Sequence, residues 1–148
     1  MNRTIKHTFQ YPHSPKVVWE YLTQPELIAQ WLMPNDFKAI VGHNFQFKTR
    51  PIPNFDFDGN IYCRVLEIIP LKKLVYSWTG GPGDGKINLD SVVSWTLTPK
   101  GDSTELHLEH SGLMENINIY NAMNEGWLKN GNKIDELINT AAHGTPKA

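Results

Sequence analysis

Near the N-terminus apolar and polar residues alternate: Ile5, His7 and Phe9 are separated by Lys6 and Thr8, which predicts a strand over residues 3–10. The period then lengthens. In SPKVVWEYL, Val18, Trp19 and Leu22 fall at helical spacing behind Ser14, a candidate N-cap, and Pro15, which suits a first helical turn. PELIAQWL repeats the device, with Pro25 opening a stripe of Leu27, Ile28, Trp31 and Leu32 that Pro34 closes. From Phe37 the period returns to two. FKAIV and HNFQFKT, parted near Gly42, predict a hairpin with Phe45 and Phe47 on one face. IYCRVLEII and LVYSW joined at PLKK predict a second hairpin, and SVVSWTLTP and STELHLEHS joined at KGD a third. About seven strands result. RPIPNFDFDGN and TGGPGDGK, rich in proline, aspartate and glycine, predict mobile loops.

The longest helical pattern follows Gly112: Tyr120, Met123, Trp127, Ile134 and Ile138 form one stripe, widened by Leu137. This helix carries glycine twice, at Gly126 and Gly131, and each costs roughly 1 kcal/mol against alanine. Gly131 lies on the stripe, four residues after Trp127, where a missing side chain lets the helix approach a sheet closely or leaves room beside it. Gly126 borders the stripe and suits a bend around a curved sheet. The plainer alternative is that both glycines merely fray a solvated turn. The C-terminal residues 139–148 read as a loose tail.

The 148 residues fit one domain able to bury roughly 70% of its unfolded surface. Lys+Arg 14 against Asp+Glu 15 is far from the basic footprint of a nucleic-acid binder, and makes an anionic membrane a poor partner as well. The N-terminus lacks the apolar run of a signal peptide and no stretch approaches the roughly 18 apolar residues of a membrane span, so a cytoplasmic protein is expected. The single cysteine, Cys63, cannot form an internal disulfide and reads as a small buried hydrophobe. Five tryptophans and six phenylalanines are many for a domain of this size, and they either build an aromatic core or line an apolar cavity.

The element order is that of an α+β helix-grip fold, β-α-α-β6-α, an antiparallel curved sheet wrapped around a long C-terminal helix. In SPKVVWEYLTQPELIAQWLMP, RVLEIIPLKKLVYSW, VVSWTLTPKGDSTELHLEHSGL and GWLKNGNKIDELI, taken in order over nearly the whole chain, the sequence resembles the activator of heat-shock protein 90 ATPase homologue-like proteins. These stand within the START-like (SRPBCC, birch-pollen-allergen-like) superfamily of hydrophobic-ligand binders. None of the stretches is a catalytic signature. The chain departs from that pattern at Cys63, where many relatives have glycine, at Gly42-His43, where a glycine pair is usual, and in its own GGPGDG loop. The resemblance implies a deep cavity between the long helix and the sheet. Strand parity then proposes its lining: Phe45, Phe47, Tyr76, Trp78, Trp95, Leu108 and His110, with Tyr120, Met123 and Trp127 from the helix. Val93, Leu97 and Leu106 share the same faces. For each aromatic taken singly, plain core packing is the alternative.

Candidate chemistry is sparse. His107 and His110 lie three residues apart on a strand, point to opposite faces and cannot chelate one ion, so no metal and no cofactor is expected. His110 is the candidate polar handle for a ligand, or else a buried histidine satisfied by backbone. Glu67, between Leu66 and Ile68, is the one candidate carboxylate to pair with His110 for acid–base work. DFDG lacks the flanking residues of a kinase or calcium loop, and GGPGDGK lacks the Ser/Thr and helix of a phosphate-binding loop. Three functions are therefore weighed: a binder of a small apolar molecule, a co-chaperone acting on a heat-shock ATPase through its surface, and a small cyclase or hydrolase. A continuous cavity favours the first, and a filled core with an exposed apolar patch favours the second.

Overall fold

The computed structural model describes residues 3–51, 57–83, 86, 89–113 and 117–142. Strand β1 (Arg3–Tyr11) leads into helices α1 (Pro15–Thr23) and α2 (Pro25–Trp31). Five strands follow, β2 (Asn44–Lys48), β3 (Asn60–Ile69), β4 (Lys73–Gly80), β5 (Leu89–Lys100) and β6 (Ser103–Leu113), and then the long helix α3 (Ile117–Ala142). The strands form one antiparallel sheet in the order β1-β6-β5-β4-β3-β2, so the first and last strands are neighbours and every other pairing is a hairpin. Inward and outward residues alternate along β2 and β4, as the period of two requires. No helix among the described residues is long and apolar enough to cross a membrane.

Local chemistry explains the boundaries. The Ser14 hydroxyl accepts from the Val17 amide and Pro15 begins α1; Pro25 begins α2, with Glu26 in its first turn. The β3–β4 hairpin turns at Pro70-Leu71, closed by the Lys72 amide donating to Ile69 O at 2.9 Å. Leu71 holds a left-handed backbone there, with φ 65°, the position that usually takes glycine or asparagine.

Two expectations are corrected. FKAIV is not a strand, so five strands follow the helices where six were expected. The Asn35 side chain accepts from the Phe37 amide, Phe37 turns into the core, and the His43 amide bonds Ile40 O in a tight turn at Gly42, φ 90°. These local bonds satisfy the backbone in place of a ladder. The tail expected over residues 139–148 is helical as far as Ala142; residues 143–148 lie outside the described part. Much of each glycine- and proline-rich loop, residues 52–56 and 84, 85, 87 and 88, lies outside it as well.

The core sits between the inner face of the sheet and the three helices, with Trp31 from α2 meeting Trp95 of β5 edge-on at 5.7 Å between ring centres. Trp127, Ile134 and Ile138 form the buried part of the α3 stripe, while Tyr120, Met123 and Leu137 are half-buried.

Candidate functional site

Strand alternation brings the sheet-borne candidates onto one inner face: Phe45 and Phe47 from β2, Tyr76 and Trp78 from β4, Trp95 from β5, and Leu108 and His110 from β6. Trp127 reaches them from α3. A continuous series of rings joins Phe45 to Phe47 (5.5 Å between centres), Phe47 to Trp78 (5.3 Å), Trp78 to Trp127 (5.2 Å) and Trp127 to Trp95 (5.6 Å). These separations are ordinary aromatic contacts, so at the level of Trp127 indole rings fill the space between helix and sheet.

The polar groups in this wall satisfy one another. The Trp127 indole can only donate, and its Nε1–H gives a 2.9 Å bond to His110 Nδ1. In the neutral ring the proton therefore sits on Nε2, which donates to Ser91 Oγ at 2.7 Å; the Ser91 hydroxyl in turn donates to the Trp78 carbonyl at 2.8 Å. Burial disfavours the imidazolium and pushes His110 down to about 3, so the ring is neutral at physiological pH. Both His110 nitrogens are engaged by side chains rather than by backbone. Ser91 lies beside a histidine nitrogen as a nucleophile would, but that nitrogen already carries its proton and cannot act as base. Trp95 Nε1–H likewise donates to the Tyr76 hydroxyl at 3.0 Å, and burial pushes that phenol's pKa upward.

Along its C-terminal half, α3 is sealed onto β1. A β-carbon built at Gly131 would overlap Phe9 Cζ and Cε1 and stand 2.6 Å from Cε2, so the Phe9 ring occupies the volume a side chain would need. Tyr11, stacked on Phe9, donates its hydroxyl proton to Gly131 O at 2.6 Å. His13 meets Asp135 at 2.7 Å. Nearer the N-terminal end of α3, His7 still reaches the helix, meeting the Asn124 side-chain oxygen at 2.9 Å. Glycine at 131 thus serves close approach. At Gly126, by contrast, a β-carbon would meet nothing within 4 Å.

Towards the N-terminus of α3 the contact loosens. Phe57 packs its ring 3.5 Å from the position of a Gly80 β-carbon, and Gly80 pairs with Leu89 across β4 and β5. Both lie two residues beyond the Trp78–Ser91 pair. Met123 stands one helical turn before Trp127 and Tyr120 one turn earlier still. Phe57, Leu89, Tyr120 and Met123 are all half-buried, packed against the core with part of each side chain in solvent. Sequence reasoning named Tyr120 and Met123 but missed Ser91, Leu89 and Phe57. Parity with Val93 and Trp95 would have found Ser91 and Leu89; Phe57, outside any periodic run, gave no signal.

Glu67 and His110 do not share a space. A β-bulge between Val65 and Glu67 shifts the register, and the exposed Glu67 carboxylate lies 3.5 Å from Lys73 Nζ, whereas His110 is 0% exposed. His107 faces outward and bonds the Thr8 hydroxyl through Nδ1 at 3.1 Å. Cys63 is buried opposite Phe45, and desolvation raises its thiol pKa. A groove of about 350 Å³ across β2, β3 and β4 is lined by Gln46, Ser77 and Thr79 together with Phe45, Tyr62 and Cys63.

Comparison with known proteins agrees with this architecture. The family model described as "Activator of Hsp90 ATPase homolog 1-like protein" matches residues 12–139. Protein MLL2253 from Mesorhizobium loti is 38% identical, with a TM-score of 0.82 over 93% of this chain and 97% of its own. Protein BH1534 from Bacillus halodurans is 25% identical, TM-score 0.72, over 92% and 96%. The Aha1 dimer from Colwellia psychrerythraea is 18% identical, TM-score 0.73, over 90% and 94%, a likeness of fold alone. No curated protein matches the chain. With the family model spanning most of its length and one antiparallel sheet packed against a long C-terminal helix, the chain belongs to the activator of Hsp90 ATPase homolog 1-like family of START-like proteins.

Proposed function

We propose that this protein binds a small, uncharged hydrophobic or aromatic molecule between the N-terminal half of α3 and the inner face of the sheet. The supporting observation is the asymmetry of packing along α3: Phe9 fills the space at Gly131, while Tyr120 and Met123, in the turns before Trp127, are only half-buried. The ligand passes Phe57 and Leu89 and rests on the indole rings. It is uncharged because the inward-facing polar groups here, His110 and Ser91, are already paired, and among the described residues no ionised side chain is buried with them. Burial at about 25 cal/mol per Å² of apolar surface then supplies most of the affinity. In this reading Phe45, Phe47, Tyr76, Trp95, Leu108 and His110 build the wall behind Trp78 and Trp127, and Tyr120 and Met123 form the mouth.

The test is a tryptophan-fluorescence titration against fatty-acid methyl esters, sterols and flavonoid-like aromatics, with ionised fatty acids as the charged control expected to bind more weakly, on the wild-type chain and on Met123→Trp, which fills the mouth. Saturable quenching by one class, lost in Met123→Trp at an unchanged urea midpoint, is the expected result. A flat response across the panel sinks the reading. A second reading, stimulation of a heat-shock chaperone ATPase through the protein surface, draws on the family description and on the indole-filled centre at Trp127. An ATPase assay with the purified chaperone tests it. A cyclase or hydrolase is the least supported, since Ser91 faces a protonated histidine nitrogen and Glu67 lies outside the interior.

A further inference from the structure

Of the seven exposed large hydrophobic side chains among the described residues, five gather at one end of the sheet: Ile40 and Val41 (59% exposed each), Leu66 (44%), Leu71 (42%) and Ile69 (41%). The two segments that carry them are joined. Gly42 N donates to Val65 O at 2.8 Å and Val65 N to His43 O at 3.0 Å, which sets the Ile40-Val41 turn beside Leu66; Ile69 and Leu71 follow at the β3–β4 turn. This end is away from the proposed mouth, because β3 and β4 run from Asn60 and Gly80 there to Ile69 and Lys73 here. The charge around the patch is lopsided. Lys38, Arg64 and Lys72 are exposed, whereas of the exposed carboxylates in these segments Glu67 is matched by Lys73 at 3.5 Å and Asp36 accepts from the Gln46 amide at 2.8 Å. Five exposed apolar side chains gathered at one end of a small protein are the pattern of a contact surface.

We propose that this end docks on an anionic lipid surface, with the five aliphatic side chains entering the headgroup layer and the cations resting on lipid phosphates. Composition selects lipid over protein. Protein interfaces are enriched in aromatic residues, methionine and arginine and depleted in lysine, whereas the five apolar side chains at this end are aliphatic and two of the three exposed cations beside them are lysines; the exposed Tyr62 lies further along β3, towards its start. Aliphatic residues flanked by lysine are what a membrane interface takes up. Leu71 adds a separate argument: it keeps a branched, half-exposed apolar side chain at φ 65°, where glycine would relieve the backbone. The overall net charge of −1 does not oppose docking, because the cations are local and lie within a Debye length of the contact.

The experiment is co-sedimentation of the full chain with vesicles of phosphatidylglycerol and phosphatidylcholine in equal parts, against pure phosphatidylcholine, at low and at physiological salt. The wild-type chain should sediment with the anionic vesicles, more weakly at higher salt. Leu71→Gly should bind about ten-fold more weakly, and Lys38→Ala with Lys72→Ala about ten-fold or more. Leu71→Gly relaxes its turn, so its urea midpoint should rise while binding falls, a pairing that loss of fold cannot produce. No sedimentation with anionic vesicles at low salt, or binding unchanged in Leu71→Gly and Ile40→Ser, overturns the proposal. So does concentration-dependent self-association in sedimentation velocity that Leu71→Gly abolishes, which would make the patch a protein contact.

Discussion

Replacing Gly131 with alanine sets helix propensity against packing. In an open helix position the change gains about 0.8–1 kcal/mol. At 131 the new methyl group falls within the Phe9 ring, 2.6 Å from Cε2 and closer to Cζ and Cε1, so helix or ring must move by roughly 1.5 Å to restore ordinary contact. Neither is free to do so. Phe9 is stacked on Tyr11 at 6.0 Å, β1 is tied to β6 along its length, and Tyr11 holds Gly131 O directly. Overpacking of this kind costs roughly 1–3 kcal/mol, and lengthening the buried Tyr11 bond costs about 1 kcal/mol more, which offsets the propensity gain. The net expectation is destabilisation by about 1–3 kcal/mol. Urea denaturation followed by tryptophan fluorescence measures it, with Gly126→Ala as the internal control. Adding Phe9→Ala closes the argument: alone it leaves a cavity worth about 3–5 kcal/mol, and the methyl at 131 partly refills that space, so the double variant should be less destabilised than the sum. A Gly131→Ala chain as stable as Gly126→Ala would refute the close-approach account.

Gly126→Ala itself should raise stability by about 0.5–1 kcal/mol in the same urea series, since its β-carbon meets nothing. Trp127→Phe keeps the ring but strands His110 Nδ1, and a loss of about 1–3 kcal/mol by calorimetry is expected. Because folding lowers the His110 pKa to about 3 from an ordinary 6.5, the unfolded chain binds the extra proton first as pH falls. Stability from this group is therefore full above about pH 6.5 and lost progressively towards pH 3; urea midpoints across that range should fall less steeply in His110→Asn than in the wild type. Leu71→Gly should gain about 1 kcal/mol in urea by relieving the left-handed turn.

Periodicity and strand parity are properties of neighbouring residues, and what they specify was legible in the chain alone. They gave the order of elements, the inner faces of β4, β5 and β6, the starts of α1 and α2 at their prolines, and the burial of Trp127, Ile134 and Ile138. Where alternation failed, at FKAIV, the competing forces were side-chain bonds from Asn35 and a glycine turn, which hydropathy does not encode. Tertiary structure alone decided which distant groups meet. Gly131 could be recognised as a gap in a stripe, but its occupant, Phe9, lies on the first strand and reaches it only because β1 pairs with the last strand. His110 could be placed inside by parity, yet whether it faces a ligand or is consumed depends on Trp127 and Ser91, brought to its two nitrogens by a helix and a neighbouring strand. A side chain's type states what it can bond; only the packing of elements far apart in the chain states which bonds are already taken.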